Sequence, residues 1–154
     1  MTQLGRLAGV TLAAGALLAI ITPTAHAAPP VPFTITQQSD STEGGVNTFT
    51  ASGPLCPSGT FVEEARAFAG RPDRTSRLNV LLRTVYTCDD GSGTFFALKH
   101  VFLTIEGDGA TNDGLITLHG GTGDYVGLNG HGQDIGFGSG GLGEALITGV
   151  IVGS

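Results

Sequence analysis

Glu63, Tyr86 and His100 are the residues of this chain whose types could do chemistry together. A carboxylate beside an imidazole is a proton-transfer pair, and a phenol next to them can orient or polarise a bound molecule. In an apolar interior each of these groups is costly to bury without a partner. On one inward face they therefore read as an acid/base or ligand-anchoring set. Two plainer readings stand beside it: His100 as a satisfied core histidine, and Glu63 turned outward by a bulge.

The elements that would position them centre on a hairpin over residues 77–105. Its arms, RLNVLLRTVYTC and TFFALKHVFLTI, are rich in leucine, β-branched and aromatic residues, and residues 89–93 (DDGSG) supply a five-residue turn. Folding there sets Thr87 opposite Phe95, Tyr86 opposite Phe96 and Leu82 opposite His100. A second reversal at 71–76 sets Gly70 opposite Arg77, Glu64 opposite Arg83 and Glu63 opposite Thr84. One face then carries Glu64, Arg83 and Lys99 in a row, an outer, solvated face. The other carries Phe61, Leu82, Thr84, Tyr86, Phe96, Leu98 and Phe102 together with Glu63 and His100. It is the expected core or cavity lining, with Phe61, Leu82, Thr84, Phe96, Leu98 and Phe102 as ligand contacts. A slip of one residue would exchange the two faces. Val62, Phe68, Leu81, Val85, Val101 and Leu103 fall on the outer side, which points to a homo-oligomer, dimer or trimer.

The rest of the chain is read as strands too. Residues 33–36 and 46–52 alternate apolar and polar. Residues 60–69 (TFVEEARAFA) hold a helix-favouring centre between strand-favouring ends, and the neighbouring meander decides for strand. Short strands follow at 114–119, 133–137 and 144–152, separated by polar or glycine-rich turns. Glycine occurs 26 times, between short apolar runs, as expected for turns and bends rather than for disorder. About eight short strands imply an all-β closed antiparallel barrel or a sandwich.

Residues 7–21 form an apolar run after Arg6, followed by Ala25-His26-Ala27, the pattern of a secretory signal cleaved after Ala27. The run is short of the roughly 20 residues a spanning helix needs. Residues 28–32 are then a proline-rich lead-in and 33–154 a single secreted domain, extracellular and without a membrane anchor after cleavage. A formal net charge of −6 gives no footprint for nucleic acid or anionic lipid. Cys56 and Cys88 are an even pair in an oxidising compartment and read as one disulfide, with two buried free thiols as the alternative.

Several motifs are set aside. The glycines of 138–143 match the dinucleotide fingerprint by letters, but they precede a strand-like run instead of opening a helix. His100, His119 and His131 have no i, i+4 spacing for zinc, so no metal is expected. Asp108, Asn112 and Asp113 read as a polar turn rather than a calcium loop.

The stretches CDDGSGTF (88–95) and GGTGDYVGLNGHG (120–132) resemble the allene oxide cyclase and dirigent barrels, the second through a Gly-Gly-Thr-Gly-aromatic-x-Gly segment. The resemblance covers roughly residues 46–149 and implies an eight-stranded antiparallel barrel with an apolar cavity. It also implies chemistry without a redox cofactor, and trimers in the plant relatives. It assigns no catalytic position here; Glu63, Tyr86 and His100 rest on strand register alone. Three functions follow as expectations: a secreted barrel binding a small hydrophobic molecule, a cofactor-free cyclase or isomerase, and a filled, non-catalytic interaction protein.

Overall fold

The computed structural model describes residues 28–69 and 77–153, without the side chains of residues 65, 66 and 68. The expected signal segment, the reversal at 71–76 and the Phe68 side chain lie outside that description. Eight strands follow in order: β1 Val31–Asp40, β2 Thr48–Ser52, β3 Ser58–Ala69, β4 Arg77–Cys88, β5 Gly93–Glu106, β6 Gly109–Gly123, β7 Asn129–Ser139 and β8 Leu142–Ile151. Each pairs antiparallel with the next, and β1 pairs with β8, so the sheet closes into a barrel with no free edge. The ambiguous stretch at 60–69 is strand, as its neighbours required.

Among the described side chains, inward and outward positions alternate along the strands, with register shifts between Ala65 and Ala67 and between Thr94 and Phe96. The polar run at 106–113 is only a two-residue reversal at Gly107 and Asp108, because β5 and β6 both continue into it. Its Asn112 points inward to Asp134, whereas Asp113 lies on the outside beside Arg77, so the stretch is no converging ligand loop. The dinucleotide-like glycines form the β7–β8 turn, with Gly140 at φ 61° and Gly141 at φ 86°, a backbone region that glycine enters without strain.

The β3–β4 register is the expected one from Gly59 to Ala65, with Glu63 opposite Thr84 and Glu64 opposite Arg83. A bulge between Ala65 and Ala67 then shifts it by one, so that Ala67 faces Leu81 and Ala69 faces Asn79 instead of the register set by Gly70 opposite Arg77. The β4–β5 register differs from expectation by one residue. Thr87 faces Thr94, Tyr86 faces Phe95 and Leu82 faces Lys99. Gly93 belongs to β5, so the turn is a residue shorter than residues 89–93. Because side chains alternate with period two, this slip turns the whole of β5 over. Phe95, Ala97, Lys99 and Val101 are buried, while Leu98, His100 and Phe102 are exposed. Lys99 and Val101, expected outside, are inside; Phe96, Leu98, His100 and Phe102, expected inside, are outside.

The interior has two parts. Toward the end that carries the 53–57, 89–92 and 124–128 connections it is packed solid. Phe49 meets Tyr86 edge-on at 5.2 Å, Tyr86 stacks on Phe95 at 4.6 Å, and Phe95 contacts Tyr125 at 5.2 Å. Phe33, Ile35, Leu118 and Ile147 fill in around them. The Cys56–Cys88 disulfide, Cα–Cα 5.9 Å, closes this end by tying the β2–β3 connection to the last residue of β4. Closing a loop of 32 residues stabilises by about 3–4 kcal/mol in the chain-entropy model.

Candidate functional site

Toward the opposite end the interior is hollow. A cavity of about 300 Å³ has walls of Val80, Leu82, Val101, Leu103, Ala110 and Ala145. Polar groups gather at its inner limit, above the packed aromatic half: Gln37, Glu63, Lys99, Asn112 and Asp134.

Lys99 is the hub of this layer. Its ammonium donates to Gln37 Oε1 at 2.5 Å and to Glu63 Oε1 at 2.6 Å, and it lies 3.0 Å from Asp134 Oδ2. An ammonium has three protons, and three oxygens close on it. A lysine side chain only 3% exposed would otherwise be a costly unpaired charge. The carboxylates are held in turn. The Asn112 amide donates to Asp134 Oδ1 at 3.0 Å, and the Thr84 hydroxyl donates to Glu63 Oε1 at 3.1 Å. No buried side-chain nitrogen or oxygen lacks a partner among the described residues.

Strand β7 makes room for this layer. Its inward positions read Gly130, Gly132, Asp134, Gly136 and Gly138, so Asp134 is the one inward side chain on that strand. A Cβ on Gly136 would run into Asn112 Oδ1, and glycine there lets the Asn112 amide lie across to Asp134. The wall beside Asp134 is therefore mostly backbone, which leaves space that larger side chains would occupy.

Of the residues expected to act, Glu63 alone combines chemistry with access. Its side chain is 30% exposed and lines the cavity. Both of its hydrogen bonds fall on Oε1, leaving Oε2 without a partner among the described residues. Tyr86 is fully buried beneath the layer, where its hydroxyl accepts from Gln37 Nε2 at 3.0 Å. Burial, and then the charges of Glu63 and Asp134, push its ionisation well above the usual phenol range. It is a neutral prop for Gln37, not a cavity group. His100 does not meet Glu63. It sits on the outer surface with Nε2 2.6 Å from Asn79 Oδ1, so the expected Glu63–His100 pair does not form.

The expected ligand contacts divide in the same way. Leu82 lines the cavity, Thr84 is buried behind Glu63, and Phe61 belongs to the packed half. Phe96 and Phe102 lie outside, under Arg83 at 4.7 Å and Arg77 at 4.4 Å, and Leu98 is 41% exposed. The outer face expected to carry Glu64 and Arg83 does so, at 3.7 Å.

Gln37, Lys99, Asn112 and Asp134 were not among the residues expected to act. For Asp134 a signal exists in the alternation G-x-G-x-D-x-G-x-G over 130–138, which marks a strand face bare except for one acid. For Lys99 none exists, since both faces of residues 95–103 are largely apolar.

Among the described residues, no group of three His, Cys, Asp or Glu side chains is placed to hold a metal ion. No helix among them is long and apolar enough to cross a membrane. Compared with protein-family models, with curated proteins and with solved structures, the chain matches none.

Proposed function

We propose that this protein is a secreted barrel that takes up a small, largely apolar molecule in the hollow half of its interior. The observation that carries the reading is the contrast of contents. One half is close-packed, while the other keeps about 300 Å³ behind aliphatic walls above a fixed polar layer. Ligand sites have this composition, apolar walls with a few set polar groups, and this volume is at the small end of their range. A structural barrel gains stability by filling its interior with side chains, and the small residues Ala110, Gly138, Gly143 and Ala145 at this end do not. Export is supported by the leader-like residues 1–27 and by the disulfide. Kinship with the allene oxide cyclase and dirigent barrels belongs to the same proposal and is supported by the closed up-and-down order of eight strands. Self-association is supported by Leu115, Ile135, Phe137 and Leu146, each at least half exposed on the outer sheet.

A second reading, a cofactor-free isomerase or cyclase, rests on Glu63. A cavity-lining carboxylate held through one oxygen, with the other free of partners among the described residues, is a candidate general base.

Titration with 1-aminoanthracene, a small neutral fluorophore, tests the binding reading. Saturable enhancement at one site per chain is expected, lost in Leu82→Trp, whose ring fills the cavity. An unchanged signal in a folded Leu82→Trp protein, or none in the parent, would overturn the assignment.

A further inference from the structure

The polar layer presents a ligand with acceptors and negative charge, although a lysine stands at its centre. Among the described residues, Lys99 is the one cation lining the cavity, against three carboxylates, Glu63, Asp134 and Glu144. Its ammonium already donates to Gln37 Oε1 and Glu63 Oε1 and pairs with Asp134 Oδ2 at 3.0 Å, so three oxygens of the protein enclose it. Asp134 is 1% exposed on its side chain, with one oxygen toward Lys99 and the other accepting from Asn112. The Asn112 amide uses one of its two N–H donors on that carboxylate. Besides these, Ser39 and Glu144 border the cavity, and the Glu63 carboxylate, on a side chain 30% exposed, keeps Oε2 without a partner among the described residues.

From this saturated lysine and the unpartnered Glu63 oxygen, we infer that the cavity selects an apolar molecule with a hydrogen-bond-donating head, best a protonated amine, and rejects a carboxylate head. An amine meets Glu63 Oε2 as a charge-assisted donor in a water-poor cavity, where such a contact is stronger than in water. A hydroxyl donates to the same oxygen without the charge. A carboxylate would have to take Lys99 from one of its three oxygens and leave that group buried and unpaired.

The inference rests on the binding reading above, and one experiment separates the two. Octylamine, octanol and octanoate share a chain and differ in the head. Calorimetric titration of the full chain at neutral pH should give octylamine the tightest binding, octanol an intermediate one, and octanoate binding weaker than the amine by roughly tenfold or more. Glu63→Gln, which keeps the shape and removes the charge, should shrink the amine–carboxylate gap by about tenfold while leaving octanol nearly unchanged. Glu144→Gln, at an exposed residue bordering the cavity, supplies a second charge variant and should narrow the gap less. Octanoate binding tightest, or a gap unmoved in folded Glu63→Gln, would overturn the head-group assignment and leave the binding barrel standing. Saturation by none of the three would overturn the binding reading, and this one with it.

Discussion

The two halves of the barrel are built from the same eight strands, with the same alternation, and end up with opposite contents. In the closed half the inward positions hold Phe33, Phe49, Phe61, Tyr86 and Phe95, and their rings meet in a contiguous cluster. In the hollow half the matching positions hold Ala110, Ala145, Gly138 and Gly143 beside aliphatic walls. A barrel of this strand number is just wide enough for side chains to fill or for one small ligand to occupy. Residue volume alone therefore decides which outcome each end takes. Between them the layer of Lys99, Glu63, Asp134, Gln37 and Asn112 has two tasks. It satisfies its own buried charges, and it separates a dry core from a space that a guest can enter.

If that division is right, substitutions should cost stability according to the half they strike. The largest effect is expected in the closed half. Phe95→Ala removes a fully buried ring that touches Phe49, Tyr86 and Tyr125, and should cost about 3–5 kcal/mol in urea unfolding. Leu82→Ala, on the wall of a space already empty, should cost about 2 kcal/mol or less. Equal costs would mean that the halves are packed alike.

Removing the cation from the dividing layer comes next. Lys99→Met leaves Glu63 and Asp134 facing each other without their shared partner, and a loss of about 3 kcal/mol is expected in the same measurement. A neutral or stabilising result would show that the two carboxylates do not depend on the ammonium for their place in the interior.

Tyr86→Phe should be the mildest, about 1 kcal/mol, since it keeps the stacked ring and takes one acceptor from the Gln37 amide. It also carries a signature in pH. The folded state holds the Tyr86 proton more tightly than the unfolded chain does. That contribution is fully present below the ordinary tyrosine value of about 10 and is lost as pH rises from there toward the higher folded value. The alkaline fall in stability should therefore be shallower in Tyr86→Phe than in the parent. Parallel falls would mean that neither burial nor the neighbouring carboxylates hold the Tyr86 proton in the folded protein.

Much of the architecture was legible in the residues. Alternating runs, glycine punctuation and the apolar arms around 89–93 pointed to an antiparallel all-β fold. The β3–β4 facing of Glu63 with Thr84 and Glu64 with Arg83 is the expected one, although a bulge between Ala65 and Ala67 shifts the pairing nearer the reversal. The Cys56–Cys88 bridge follows from an even count in a chain whose opening residues read as an export signal. The site was only half legible, and the reason lies in β5. Residues 95–103 read Phe, Phe, Ala, Leu, Lys, His, Val, Phe, Leu, so each face carries an aromatic, further apolar residues and one basic group. Hydrophobicity cannot choose between two such faces, and the choice fell to whether Gly93 closes the turn or opens the strand.

What the sequence by itself determined is the class of fold, the cross-link and the inward place of Glu63. These depend on local alternation, on turn-forming residues and on cysteine count, all of which act over short stretches of chain. Only the tertiary structure decided that Lys99 and not His100 enters the barrel, and that Gln37, Asn112 and Asp134 close around it from β1, β6 and β7. A one-residue difference in a turn leaves every local preference nearly satisfied. It is resolved only when barrel closure brings distant strands together and the buried ammonium finds its oxygens.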